Sequence, residues 1–259
     1  MPKRTPLVVG NWKMHTSFAD AIVLATQIKH HAESLSGVEV VICPPFLWLY
    51  PLAETLQHAS PRHLSLGAQN VSEHDNGALT GEVSAAMLQH LVRYVIVGHS
   101  ERLAHFGETA QTTNAKIHAA LRHHIKPIVC VGELTRSRNP EKEVLHRLRE
   151  ILEGVTKHEL EELVLVYEPV WAISSHGEPP VGRASPDGGS SAEGIRVQLV
   201  AQAIHETISD VPRVLYGGSV TALNTLEFMS QADIDGVLVG AASLKASEFI
   251  KICKLAAYQ

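Results

Sequence analysis

Aromatic residues are scarce in this 259-residue chain: Phe, Trp and Tyr together make up 5% of it, so aliphatic side chains must fill most of any core. Cysteine is scarcer still, with Cys43, Cys130 and Cys253 far apart in the chain. They form no metal-type pair spacing, and one disulfide would leave a thiol over, so a reducing compartment is expected. No uninterrupted apolar run reaches the ~18 residues of a membrane span, which argues against an integral membrane protein. The apolar stretch after Met1-Pro2-Lys3-Arg4 stops within a handful of residues at Asn11-Trp12-Lys13. That is too short for a secretory signal, and a cytoplasmic location is expected. A basic excess is also lacking: 22 Lys+Arg stand against 27 Asp+Glu, a net charge of −5, which argues against non-specific nucleic-acid binding. A small anionic ligand stays open, because backbone amides and one lysine can create a local positive field. The 16 His are scattered, with adjacent pairs at His30-His31 and His123-His124, and none forms a His-x-x-x-His pair beside a carboxylate. Most of them read as surface helix positions, and no metal is expected.

What the chain does have is short β-branched runs, each followed by a longer stretch with helical spacing. The runs cover residues 7–10, 38–43, 64–68, 94–97, 127–131, 164–168, 214–216 and 237–239. Helical spacing is clearest over 18–35, 109–124, 141–153, 195–209 and 246–255. Ser17 and Asn139-Pro140-Glu141 supply capping chemistry for two of these. Nearly continuous apolar strands such as 94–97 imply burial on both faces, the signature of a parallel sheet covered by helices. Eight βα units in about 250 residues match a closed (β/α)8 barrel forming a single domain over 1–259. An open dinucleotide-binding sheet loses support because no Gly-x-Gly-x-x-Gly follows the first strand. The one composition break, residues 174–194, is rich in Ser, Gly and Pro and falls inside the sixth βα unit. An insert of that length in a compact domain is usually functional or disordered.

In such a barrel the chemistry collects where strands end and βα loops begin. Those junctions carry Asn11-Trp12-Lys13, Gly98-His99-Ser100-Glu101-Arg102, Tyr167-Glu168-Pro169, Tyr216-Gly217-Gly218-Ser219 and Gly240-Ala241-Ala242-Ser243. Singly these are modest signals: a lysine after a strand is ordinarily solvated, and a lone histidine is ordinarily packing. Glu168 differs, since a carboxylate that finishes an apolar strand and precedes proline has no surface face to explain it. Together the groups make a set. Glycine loops after strands 7 and 8 expose N–H groups at the usual phosphate position of these barrels. Glu168 can take a proton from carbon, while His99 and Lys13, with Asn11 as a further dipole, can stabilise the enediolate oxygen. Cys130 reads as a buried structural thiol. The chemistry that needs only this set, and no cofactor, is proton shuttling between adjacent carbons of a phosphorylated aldose or ketose.

The motifs Gly10-Asn11-Trp12-Lys13-Met14, Gly67-Ala68-Gln69-Asn70, Gly77-Ala78-Leu79-Thr80-Gly81-Glu82, Gly98-His99-Ser100-Glu101-Arg102 and Phe106-Gly107-Glu108 resemble the triosephosphate isomerase family. So do Cys130-Val131-Gly132-Glu133, Tyr167 through Ile173, and Tyr216 through Val220, and the match runs in order from Leu7 to about Leu255. The resemblance implies interconversion of dihydroxyacetone phosphate and glyceraldehyde 3-phosphate, within glycolysis and gluconeogenesis. It implies Glu168 as the base, Lys13 as the electrostatic clamp and Asn11 beside the substrate. His99 would act as a neutral imidazole, this family being the standard case of that assignment. Glu101 would meet Lys13 in the empty site, Ser100 would hold the swung-out base, and Tyr216 would support the site. Ser174, Ser219, Gly240 and Ala241 would present amides to the phosphate. Thr80 resembles the loop tip that enters a partner subunit, so the expected partners are a small phosphorylated sugar and a second copy of the chain, with neither nucleic acid nor membrane.

Several positions depart from the family pattern. Ser174 through Ala184 replaces a short Gly-Thr-Gly-Lys lid tip, with Gly177 as a mobile rival to Ser174 for the phosphate. Gly188-Gly189 weakens the following helix start by ~1 kcal/mol per glycine relative to alanine. Ala241 replaces a glycine and is tolerable only at negative φ. His15 replaces an asparagine beside the subunit contact, and Leu103 replaces an arginine. An enlarged lid could also serve a longer ketose phosphate such as a tetrulose phosphate, and a non-catalytic dimeric scaffold is the remaining alternative.

Overall fold

The computed structural model describes residues 4–57, 64–173, 191–208 and 213–258. Eight strands close into a barrel in chain order: β1 Leu7–Asn11, β2 Glu39–Cys43, β3 Leu64–Ala68, β4 Tyr94–Val97, β5 Lys126–Val131, β6 Val164–Tyr167, β7 Arg213–Tyr216 and β8 Gly236–Val239. All neighbours pair in parallel, and β8 closes on β1 with Leu7 opposite Gly236 and Gly10 opposite Val239. The expected strands match these to within two residues at either end. The difference at β6 is informative. Glu168 lies one residue beyond the strand, its N–H given to the Val131 carbonyl at 2.8 Å, so its side chain is aimed from the rim.

Alternation along each strand divides the core in two. Leu7, Val9, Val41, Ile96, Val164 and Leu215 are among the residues that fill the barrel interior. Val8, Val40, Val95 and Val129 face outward into the helical layer. That layer is built from α1 Phe18–Ala32, α2 Phe46–Gln57, α5 Ala110–Arg122, α6 Pro140–Ile151, α8 Ser191–Thr207 and α10 Ala246–Ala257, with shorter α3 Ala85–Leu88, α4 Ser100–His105, α7 Lys157–Leu160 and α9 Thr225–Met229 between them. Ser17 caps α1 in a reciprocal box with Asp20, worth about 1 kcal/mol. Asn139 is a correction: Pro140 occupies the first turn of α6 as expected, but the Asn139 side chain makes no capping bond. The helix expected over 18–35 stops at Ala32, because the Ser34 and Leu35 amides turn back onto the His31 and Ala32 carbonyls. Among the described residues, no helix is long and apolar enough to cross a membrane.

Candidate active site

Six βα junctions meet at one rim, each for a local reason. After β1 the chain turns sharply, and Lys13 takes a left-handed φ of 53°. The Asn11 carboxamide accepts the Lys13 N–H at 3.0 Å, and Gln69 donates to the Lys13 carbonyl at 2.8 Å and to that of Cys43 at 2.9 Å. The turn is thus tied down on both sides. After β4, Gly98 bends at φ +67°, a conformation that disfavours a side chain, and delivers His99 to the N-cap of α4. After β5, Gly132 approaches so closely that a Cβ there would lie 2.0 Å from the Glu168 carbonyl oxygen, which lets the ends of β5 and β6 meet under the carboxylate.

These turns bring Asn11, Lys13, His99 and Glu168 to one cavity of about 230 Å³, walled also by Ile173, Gly217, Gly218, Ser219, Leu238, Gly240 and Ala241. Small-molecule clefts commonly run from ~300 Å³ upward, so this one fits a small ligand. Glu168 is 3% exposed, with one carboxylate oxygen accepting the Ser100 backbone N–H at 3.0 Å and the other 3.0 Å from His99 Nε2. Serine 100 therefore meets the carboxylate through its amide. Its hydroxyl is buried and finds no partner among the described residues. Lys13 Nζ reaches Glu101 Oε1 at 2.5 Å.

Two influences act on His99 in opposite directions. Burial disfavours the imidazolium, while the charge and hydrogen bond of Glu168, with Glu101 behind it, outweigh burial and raise its pKa above the ordinary histidine value. Yet Nδ1 accepts the Glu101 backbone N–H at 3.2 Å, and that donor cannot become an acceptor. A proton on Nδ1 would face it directly, so geometry favours the neutral tautomer carrying its hydrogen on Nε2. Burial, with Glu168 as the next influence, drives the Cys130 thiol far above its usual range, which leaves no nucleophile there.

The remaining sequence candidates divide. Gly240 has φ −85°, and Ala241 has no positive φ, so the missing glycine carries no strain. Ser219 lines the cavity, with its N–H given to the Ala172 carbonyl at 3.2 Å and its hydroxyl to the same oxygen at 3.0 Å. Tyr216 is buried and stacks on Phe228 with ring centroids 4.0 Å apart, on the helix-facing side of the barrel, and does not line the cavity. Thr80 is exposed on the long β3–α3 loop and does not line the cavity. Ser174, with the lid tip and Gly188-Gly189, lies outside the described residues. Gln69, Ile173 and Leu238 were not singled out from the sequence. The last two read as ordinary core, and only a glutamine finishing the end of a buried strand gave a signal. Among the described residues, no cluster of His, Cys, Asp or Glu could hold a metal ion.

A family model described as triosephosphate isomerase matches residues 6–256. The chain belongs to the triosephosphate isomerase family. The triosephosphate isomerase of Dehalococcoides mccartyi (strain BAV1) is 42% identical over 259 residues, covering 98% of this chain and 97% of its own. That of Herpetosiphon aurantiacus is 43% identical over 256 residues, covering 97% and 99%. Among solved structures, the triosephosphate isomerase from Bartonella henselae superposes with a TM-score of 0.80 at 30% identity, covering 97% of this chain and 99% of that one.

Proposed function

We propose that this chain interconverts dihydroxyacetone phosphate and D-glyceraldehyde 3-phosphate through an enediolate, in the cytoplasm and within glycolysis and gluconeogenesis, with Glu168 as the base. The carboxylate takes a proton from the hydroxyl-bearing carbon beside the carbonyl and returns it to the former carbonyl carbon, while the hydroxyl proton passes from one oxygen to the other. Charge develops on the carbonyl oxygens as the proton leaves. Lys13 and the Nε2–H of His99 meet that charge, and Asn11 adds a dipole. Substrate displaces the Glu168 carboxylate from His99, which removes the influence that raises the imidazole pKa and leaves the neutral donor that the Nδ1 contact requires. Gly240, Ala241 and Ser219 hold the phosphate, Ser219 only after its N–H leaves the Ala172 carbonyl. Phosphate binding is thereby coupled to movement of the turn that follows the base.

The observation that carries this reading is the convergence of Lys13, His99 and Glu168 on one small cavity edged by glycine amides. A coupled assay tests it. The expected result is turnover of the triose phosphates with kcat/KM far above that for a four-carbon ketose phosphate, and the reverse preference would overturn it. The homodimer belongs to the same reading. Met14, Leu79, Met87 and Phe106 stand exposed on or next to the loops after β1, β3 and β4, with Thr80 at the tip of the longest. Exposed apolar groups on these loops support a contact surface, which sedimentation velocity reads directly.

A further inference from the structure

The three-residue turn Val170–Ala172 follows the base at once, and its tryptophan is held from three sides. The Trp171 Nε1–H donates to Glu133 Oε1 at 3.0 Å, and Glu133 is fully buried at the end of β5. The guanidinium carbon of Arg136, in the loop after β5, lies 5.1 Å from the indole centroid. That of Arg196, on α8, lies 5.3 Å from the same ring. Both distances are within the ~6 Å at which a cation is attracted by an aromatic face.

We propose that Arg136 and Arg196 are positioning residues for the isomerisation: together they clamp the Trp171 indole, and through it the turn that presents the Glu168 carboxylate to the substrate. The inference rests on the functional reading above, because it takes Glu168 to be the base.

The hydrogen bonds of Arg196 favour a clamping role over a plain ion pair. A guanidinium and a carboxylate pair best through two parallel bonds. Here Arg196 Nη2 reaches one oxygen of Glu133, Oε1, at 2.7 Å, which also accepts from Tyr167 Oη at 3.0 Å, and turns aside to the Ser137 carbonyl at 2.8 Å, with Tyr167 as a further partner. Glu133 Oε2 and Arg196 Nε are buried without a partner among the described residues. Fork geometry is given up, and the guanidinium lies against the indole instead. Arg136 is exposed, and its contact with that ring is the interaction found for it among the described residues.

Movement of the indole must reach the carboxylate, because the link between them is short and stiff. Pro169 fixes its own φ at −65°, the Val170 N–H is tied to the Glu133 carbonyl at 3.1 Å, and the Glu168 N–H is tied to the Val131 carbonyl. A ring set loose from its cations tilts this link about the β5 end. Most of the phosphate grip is off that lever, since Lys13, Gly240 and Ala241 belong to the β1 and β8 junctions and only Ser219 is tied to the turn, through the Ala172 carbonyl. A clamp of this kind therefore acts on kcat and leaves KM nearly alone, whereas a merely structural arginine would move stability and both constants together.

The test uses Arg136→Ala, Arg136→Lys and Arg196→Lys in the full chain, with Arg138→Ala as a control that removes an exposed charge two residues along. Triose phosphate kinetics, melting temperature and the fluorine NMR spectrum of protein labelled with 5-fluorotryptophan are measured on each. The chain has three tryptophans, so Trp171 is assigned with Trp171→Phe. Arg136→Ala is expected to lower kcat by about two- to fivefold, the size of one exposed cation–ring contact. KM and melting temperature hold, and the Trp171 resonance moves while the other two stay. Arg136→Lys recovers part of the loss, because an ammonium keeps the charge but not the planar stack. Arg196→Lys lowers kcat further. An unmoved Trp171 resonance, an unchanged kcat, a parallel loss of KM and melting temperature, or an equal loss in Arg138→Ala would each overturn the clamp. If the parent protein does not isomerise triose phosphates, the functional reading fails and this inference falls with it. A parent that turns over beside an unaffected Arg136→Ala overturns the inference alone.

Discussion

The two ends of the barrel use buried charge in opposite ways. At the N-terminal end, Glu39 accepts from Tyr94 Oη and from Arg213 Nη1, both at 2.7 Å, with Arg93 at 3.6 Å, and Arg213 Nη2 donates to the same phenol at 3.0 Å. Nearby Asp235 accepts from Arg4 at 3.0 Å and from the Val214 amide at 2.9 Å. Burial first of all pushes the Tyr94 phenol up to about 12, so it stays a donor throughout the physiological range. Charges on this floor neutralise each other across five strand starts. At the C-terminal rim the carboxylate of Glu168 has one amide and one imidazole, the Ser100 hydroxyl finds no partner among the described residues, and Lys13 sits in a strained backbone conformation. The charges of the floor answer one another, whereas the rim groups line a cavity. Polar groups at the floor should therefore govern stability and those at the rim should govern turnover.

Glu168→Gln gives the largest expected effect. The amide keeps the shape and can still accept from Ser100, but it cannot take a proton from carbon. The expected loss in kcat is about 10²–10⁴-fold or more, measured with triose phosphate, at nearly unchanged melting temperature. An active variant would remove the base assignment. The same change should lower the His99 pKa as followed by NMR, since burial remains and the opposing carboxylate is gone. The sign has a consequence for stability. A histidine with a raised folded-state pKa contributes stability that is full below its unfolded value and is lost as pH rises through the folded one. Glu168→Gln should abolish that contribution, narrowing the difference between the two proteins toward alkaline pH.

Lys13→Met comes next. One cation serves both the bound phosphate and the developing oxyanion, so kcat should fall and KM rise, with kcat/KM down about 10²–10³-fold. The strained φ is no worse for Met than for Lys, and the Asn11 and Gln69 bonds go to the backbone. The Glu101 pair is partly exposed, so its loss costs little. A large drop in melting temperature would blur the division between rim and floor.

Much of the fold and of the rim was legible in the sequence, whereas the charged floor left no local pattern. Strands buried on both faces leave near-continuous apolar runs, so all eight could be found, and a carboxylate closing such a run stands out, as Glu168 does, while Lys13 and His99 gain weight only as members of a set. The segment forming α2 was not legible as a helix: Phe46 through Pro51 is apolar all round and contains a proline, so no face emerges. The turns α3, α4, α7 and α9 are too short for a period to register. Within the site, Ile173 and Leu238 look like core in one dimension, because lining a cavity and filling a barrel ask for the same side chains. That the Ser219 amide is already engaged follows from how β6 and β7 end side by side, which no local pattern encodes.

The smallest effect on turnover should come from the floor, where the comparison is sharpest. Arg213→Met removes the main partner of Glu39 and leaves that carboxylate with Tyr94 and the distant Arg93. Both charged groups keep about a sixth of their side-chain surface, so the cost falls at or below that of a fully buried pair, about 3 kcal/mol, or some 6–12 °C in melting temperature, while kcat and KM hold. The pH dependence separates this from a packing defect. Burial works to raise the Glu39 pKa, but the Tyr94 and Arg213 hydrogen bonds and the Arg213 charge outweigh it and hold the group below the usual carboxylate value. A depressed folded-state pKa means that the unfolded chain binds the proton more readily. The pair therefore stabilises the fold fully above the ordinary glutamate range, and its contribution is lost as pH falls through the folded value. In Arg213→Met that contribution is largely missing, so parent and variant should converge in stability as the solution is acidified. A gap that stayed constant with pH would mean that Arg213 acts through its packing and not through its charge.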